Sequence, residues 1–191
     1  MLSFSHFLEA KGQAVVFAFG RMNPPTTGHG KLIKKVMMMA KRVGGIPIIY
    51  PSKTVDNKKN PLSFRMKVSV LRDVFGDIID INTSIKTPFD VLDSLNKKKI
   101  NKVVFVAGSD RMIEFQKNMQ SHIDKHLDNI TDFSVVSAGE RDPDASGVRG
   151  ISGSKMRTFV KNDNFSKFKA GLLTKNVQIA KAVFKVLKKK L

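Results

Sequence analysis

Between Gly20 and His29 the chain reads Gly-Arg-Met-Asn-Pro-Pro-Thr-Thr-Gly-His. Residues of these types in this order suit an anion. Gly20 lets a phosphate group approach the main chain, the two prolines stiffen the loop, and Gly28 opens a helical pattern whose unsatisfied N–H groups face negative charge. His29 then directs its ring at the same phosphate, with Arg21, Met22, Asn23 and Thr26 in the loop beside it. A second glycine-bearing segment, Gly150-Ile151-Ser152-Gly153-Ser154-Lys155-Met156-Arg157, also leads into a helix. There Ser152 and Ser154 can cap the helix and offer hydroxyls, while Lys155 and Arg157 stand where cations meet outer phosphates. Either segment alone also reads as a turn and a helix cap. Two of them, roughly 120 residues apart in one α/β pattern, make a far more specific pair.

Other clusters are less specific. Gly108, Ser109, Asp110 and Arg111 follow a strand pattern, and Lys59-Asn60-Pro61-Leu62-Ser63 with Arg65 leads into a helical one. His122 and His126 are four apart on an expected helix, a spacing that serves a metal ion, but no carboxylate or third histidine stands in register, and an exposed helical pair explains them better. No protein metal site is expected. Arg141-Asp142-Pro143-Asp144 reads either as a lid or acceptor loop or as a plain acidic turn, and Met37-Met38-Met39 as core packing.

The elements that must position these residues alternate in type. Apolar runs at 14–19, 46–50, 102–107 and 133–137 predict strands, with a shorter candidate at 78–81. Helical periodicity fills the intervals: 28 to about 43, 62–75 with Pro61 in its first turn, 88–98 started by Thr87-Pro88, 111–126, and 152–160. Strands that read as continuous apolar runs between helices predict a Rossmann-like, doubly wound parallel sheet with helices on both faces. Ligands bind such sheets beyond the carboxyl ends of the strands, so the loops 20–28 and 108–111 are expected to face one cleft. Residues 1–160 are read as this domain and 161–191 as a basic helical extension packed on it, with Ala180, Val183, Phe184, Leu187 and Leu191 along one face.

Composition narrows the partners. The 191 residues carry a net charge of +18, and 161–191 alone hold nine lysines against Asp163. Such a balance favours polyanions, so a non-specific nucleic-acid contact through the tail stands beside a merely solubilising surface. There is no cysteine, which removes disulfides, thiolate metal sites and cysteine nucleophiles together. No apolar run reaches membrane-spanning length and the first residues lack a secretory pattern, so a cytoplasmic protein with no membrane contact is expected. A homo-oligomer is left open.

The order strand, Gly, Asn-Pro and Thr-x-Gly-His over residues 15–29, with Ile151-Ser152-Gly153-Ser154 and Arg157 downstream, resembles the nucleotidyltransferase (cytidylyltransferase-like) superfamily, most closely the nicotinamide-nucleotide adenylyltransferases. Gly108-Ser109-Asp110 is similar to a turn bordering their nucleotide pocket, and Asn60-Pro61-Leu62 to the start of one of their helices. The resemblance covers 13–160. It implies an enzyme that transfers AMP from ATP to a phosphorylated acceptor with release of pyrophosphate, nicotinamide mononucleotide being the leading acceptor and NAD the product. His29, Arg157 and Thr26 would be catalytic. Gly20, Arg21, Met22, Asn23, Gly28, Gly108, Asp110, Arg111, Ser152, Ser154 and Lys155 would bind nucleotide, Asn60 and Arg65 the acceptor, and Mg²⁺ would arrive on the triphosphate. Thr26 stands where many members carry a first histidine, and there is no tryptophan to stack on a pyridine ring, so CTP as donor and other phosphorylated acceptors stay open, as does a non-catalytic nucleotide- or nucleic-acid-binding protein of the same fold. Phe4-Ser5-His6-Phe7-Leu8-Glu9 is similar to the starts of internal proteins of large tailed bacteriophages, and Pro-Pro-Thr-Thr-Gly-His with Arg-Asp-Pro-Asp looks like phage-encoded members, which implies the host cytoplasm; a short amphipathic helix is the alternative for the opening residues.

Overall fold

A computed structural model describes residues 14–56, 59–139 and 151–191. The expected segments at 4–9 and 141–144, and Gly150, lie outside the described residues. Of the described residues, those within 14–19, 32–50 and 82–139 form one unit and those within 20–31, 51–81 and 151–191 form another.

Four parallel strands organise the first unit: β1 (Val15–Gly20), β2 (Ile46–Pro51), β3 (Lys102–Ala107) and β4 (Asp132–Ser137), in the order β2-β1-β3-β4. Val15 lies opposite Val103 and Phe17 opposite Phe105, while Lys102 to Ala107 run beside Asp132 to Ser137. On the other side of β1, the N–H of Ile46 donates to Ala14 and that of Ser52 to Gly20, at 2.8 and 2.7 Å. Six residues separate the bonds on each strand in the same sense, as a parallel pair requires. The central strands are apolar along their length because side chains on both faces are covered. Phe17 stacks on Phe105 with ring centroids 4.7 Å apart, and Ile48, Leu92, Leu95, Met119 and Ile123 complete this core.

Helices join the strands. α1 (Thr27–Val43) ends where Gly44 adopts φ +65°, a left-handed conformation that closes a helix without the strain a side chain would bring. α2 (Phe64–Phe75) follows β2. α3 (Pro88–Lys97) begins with a reciprocal box between Thr87 and Asp90, as the Thr-Pro start predicts. A 3₁₀ turn over Ser109–Arg111 leads into α4 (Met112–His126). The sheet and its helices form the Rossmann-like parallel fold that the alternation of periods indicates.

The second unit is built on helices. With α2 it contains α5 (Gly153–Lys161), α6 (Phe165–Gly171) and α7 (Val177–Lys190). Leu62, Val70, Met156, Val160, Phe168, Leu172, Ala180, Val183, Phe184 and Leu187 form one core, so the C-terminal helices share their interior with α2 and α5. The Thr174 hydroxyl, which accepts from the N–H of Asn176, also bonds the Asp73 carboxylate and so ties the start of α7 to α2.

Three expectations need correction. Met37 and Met38 are exposed rather than packed in the core, because the buried face of α1 is the one carrying Ile33, Val36 and Ala40. α2 starts at Phe64 rather than Leu62, because the Ser63 side chain accepts the N–H of Met66 and takes the cap, leaving Pro61 outside the first turn. Residues 78–81 form no strand; Gly76–Ile78 is a 3₁₀ turn, and Ile81, on a run too short to bury both faces, is exposed.

Candidate active site

Both glycine-marked segments belong to the second unit, and their residues meet there. From the end of β1 the loop passes Arg21, which is exposed, and Met22, which is buried with φ +43°. Asn23 is buried as well. Its amide Nδ2 donates to the Leu62 carbonyl at 3.1 Å and its Oδ1 accepts the Leu62 N–H at 3.0 Å, so one side chain supplies both bonds that a neighbouring strand would. Leu173 donates its N–H to the Pro25 carbonyl at 3.2 Å, and Thr26 forms an antiparallel bridge with Leu172. The loop is thus held by residues 62 and 172–173 in addition to the stiffness of its prolines.

The helix that follows carries His29 in its first turn. The N–H of Thr26 donates to His29 Nδ1 at 3.0 Å, and the Thr26 hydroxyl lies 2.9 Å from the same nitrogen. A backbone amide can only donate, so Nδ1 is an acceptor and the proton of the neutral imidazole sits on Nε2. Thr26, expected to be catalytic, is almost fully buried with its hydroxyl against the ring.

Arg157 joins the two segments. Ser152 caps α5 by accepting the N–H of Lys155 at 3.2 Å, which sets Arg157 one turn along the helix. Its Nη1 donates to the carbonyls of Asn23 at 3.0 Å and Lys59 at 3.1 Å, and Nη2 donates to Ser154 Oγ at 3.0 Å. Partial burial lowers the guanidinium pKa; the Asp56 carboxylate acts in the opposite direction, and Arg21 adds to the lowering. The group stays charged, as guanidinium does throughout the ordinary range. Two arginines facing one carboxylate leave the surroundings of the loop electropositive.

Gly153 makes this approach feasible. A Cβ there would stand 3.0 Å from the Asn23 carbonyl oxygen and 3.4 Å from Arg157 Nη1, in the contact that unites the segments. Asn60 is also buried, and its backbone N–H and side-chain amide both donate to Asp56. Arg65, Ser154 and Lys155 are exposed, and Gly28 is half-buried beside His29.

Asp56 escapes a sequence reading, as do Lys67 and the close approach to Asn23 that requires a glycine at 153. The Lys67 side chain is fully buried, with Nζ donating to the carbonyls of Ser52 and of Thr54. Burial lowers its pKa to about 8. The signal that could find it is its position: Lys67 precedes Val70 and Leu71 by three and four residues, on the face that helical spacing turns inward.

Gly108, Asp110 and Arg111 belong to the first unit, just after β3, where the Arg111 guanidinium lies 5.7 Å from the centre of the Phe115 ring. In the same unit His122 Nε2 contacts Asp93 Oδ1 at 2.7 Å, and its ring centre is 5.1 Å from that of His126. Among the described residues no group of three His, Asp or Glu side chains could hold a metal ion, and no helix is long and apolar enough to cross a membrane.

Comparison with known proteins bears on the fold and the family. No curated protein matches the sequence. Among solved structures, Plasmodium falciparum nicotinic acid mononucleotide adenylyltransferase complexed with APC is similar at 13% identity and a TM-score of 0.56, over 93% of this chain and 96% of that one. Thermotoga maritima TmcAL bound with alpha-thio ATP is similar at 11% identity and a TM-score of 0.52, over 93% of this chain and 56% of that one. At such identities the likeness establishes the fold. The cytidylyltransferase-like family model matches residues 17–159, which takes in the loop of His29, β2 to β4 and Arg157, and the chain therefore belongs to the cytidylyltransferase-like family.

Proposed function

We propose that the protein transfers the AMP unit of ATP to the phosphate of nicotinamide mononucleotide, forming NAD and releasing pyrophosphate. The observation that carries this reading is the Arg157 guanidinium on the Asn23 carbonyl, which sets the two anion-binding segments side by side next to His29. Family membership supports nucleotidyl transfer in general. The adenylyl donor and the pyridine acceptor rest on the motifs at 59–65 and 108–111, and a fold neighbour that is an adenylyltransferase of nicotinic acid mononucleotide favours them.

In the reaction an acceptor phosphate oxygen attacks the α-phosphorus of ATP, the bond from that phosphorus to the β-phosphate bridging oxygen breaks, and the electron pair leaves with pyrophosphate. No covalent enzyme intermediate is needed. Two anions must be aligned and the charge that develops on the transferring group must be stabilised, which are positioning and electrostatic tasks. His29 Nε2–H, the first turn of α1 and the charge of Arg157 supply the stabilisation, with Arg21, Ser154 and Lys155 toward the outer phosphates. Thr26 is a positioning residue here, since it orients the ring. Asn23, Asn60 and Ser152 shape the pocket through their bonds to Leu62, Asp56 and the start of α5. Mg²⁺ enters held by phosphate oxygens as part of the nucleotide substrate.

The test is pyrophosphate release from ATP and CTP against a panel of phosphorylated acceptors, nicotinamide mononucleotide first. Release with ATP and that acceptor, together with NAD formation, is the expected result. Release only with CTP or another acceptor overturns the substrate assignment, and none with any pair overturns the enzymatic reading.

A further inference from the structure

All nine lysines between 161 and 191 are exposed, and the single acid of this stretch, Asp163, is paired with Lys188 at 2.7 Å. Helix electrostatics explain part of this. Lys161, Lys169 and the lysines at 188–190 lie in last turns, facing the negative ends of their helices. Lys167 does not, since it stands in the first turn of α6, where a cation is unfavourable. Nor do Lys181 and Lys185, in the body of α7.

Lys181, Lys185 and Lys189 repeat every fourth residue, opposite the buried row of Ala180, Val183, Phe184 and Leu187. Because that row is packed into the core of the second unit, the lysines sit on a fixed frame, rising about 6 Å per step over about 12 Å. Like charges at this spacing repel and weaken a helix. Folding alone does not account for Lys181 and Lys185 in such a stripe; a row of phosphates does.

The surroundings narrow the partner. Apart from Val177 at the start of α7, no large apolar side chain of the tail is exposed, so nothing is available to insert into a bilayer. The tail phenylalanines, Phe165, Phe168 and Phe184, pack inward, so no aromatic platform is offered to an unpaired base. What remains is charge in a rigid line, suited to the backbone of a duplex. We propose that the lysine stripe of α7 is a docking surface for the phosphate backbone of double-stranded nucleic acid, used without regard to base sequence and independently of the nucleotide site.

The experiment is fluorescence anisotropy of a labelled DNA duplex titrated with the full chain across a salt series starting at about 50 mM. The wild type is compared with Lys181→Gln/Lys185→Gln/Lys189→Gln and with Lys34→Gln/Lys41→Gln/Lys117→Gln, which removes the same charge from exposed positions elsewhere; circular dichroism verifies that each is folded. Duplex binding that weakens steeply with salt is expected, with the slope of log K against log salt reduced by about 3 in the α7 variant, roughly one for each lysine, and nearly unchanged in the other. Absence of duplex binding by the wild type, equal slopes in the two variants, tighter binding of a single strand, or a preference for anionic vesicles would each overturn the assignment.

Discussion

In the first unit the sheet meets its helices through Phe17, Phe105, Ile48, Leu92 and their neighbours, and the buried side chains are apolar. The second unit, helical and similarly packed around Val183 and Phe168, also encloses Asn23, Thr26, Ser52, Asn60, Lys67 and Thr174, which are all the buried polar and charged side chains among the described residues. An enclosed polar group destabilises a fold unless its hydrogen bonds are met. Here they are met by loop backbone, as for Asn23 on Leu62 and Lys67 on Ser52 and Thr54, or by a neighbouring side chain, as for Thr26 on His29. The difference teaches where the demand for precise geometry lies. One unit is stabilised by apolar contact that tolerates repacking, and the other uses directional bonds to hold irregular chain in a single conformation.

That contrast can be broken at four places. The largest effect belongs to Phe17→Ala, which removes a stacked ring from the apolar core and is expected to lower stability by about 4 kcal/mol in chemical denaturation. If the units differ as described, the Km for ATP of the protein that stays folded should barely change.

Lys67→Met comes next, as a difference in pH dependence. The folded pKa of Lys67, about 8, lies below the ordinary value of 10.5. Between these values the unfolded chain holds a proton that the folded one has released, so the contribution of Lys67 to stability is lost as pH falls through 8 and rises toward 10.5. The gap in unfolding free energy between wild type and Lys67→Met should shift in favour of the wild type by up to about 3 kcal/mol over this window. A flat difference would mean that Lys67 does not titrate as an enclosed group.

His29→Ala tests chemistry alone. Turnover in the pyrophosphate assay should fall about 10²-fold or more, with little change in thermal midpoint, as when one charge-stabilising donor is removed. Near-normal turnover would remove His29 from the mechanism. The smallest effect is that of Gly153→Ala, whose methyl group would press on the Asn23 carbonyl; about 1–2 kcal/mol of stability should go, with a rise in the Km for ATP. A variant as stable and active as the wild type would show that this approach has slack.

The same contrast explains how much of the molecule is legible in its sequence. Strands such as 102–107 are legible because a parallel sheet buries both faces and leaves a continuous apolar run, and Thr87-Pro88 announces its helix through local capping chemistry. These signals are short in range. Helical periodicity places the start of α2 two residues early because Pro61 and Ser63 both suit a helix start, and the choice depends on Leu62 being held by Asn23, 39 residues away. Asp56 and the need for a glycine at 153 stay hidden for a similar reason: the first matters through Asn60 and Arg157, the second through a carbonyl far earlier in the chain, that of Asn23. For Lys67 the spacing puts a cation on the inner face of a helix, but only the carbonyls of Ser52 and Thr54 explain how it can stay there. Motifs report which residue types gather; the bonds that fix their orientation are written in distant backbone.

The hold on His29 has a consequence for how the protein can vary. Its ring is gripped in part by a main-chain amide, which every amino acid except proline possesses. Replacing Thr26 by another residue that preserved the path of the loop would keep that grip while altering the hydroxyl beside it. The aim of the imidazole is therefore inherited with the course of the chain, and sequences can drift at this position without losing it.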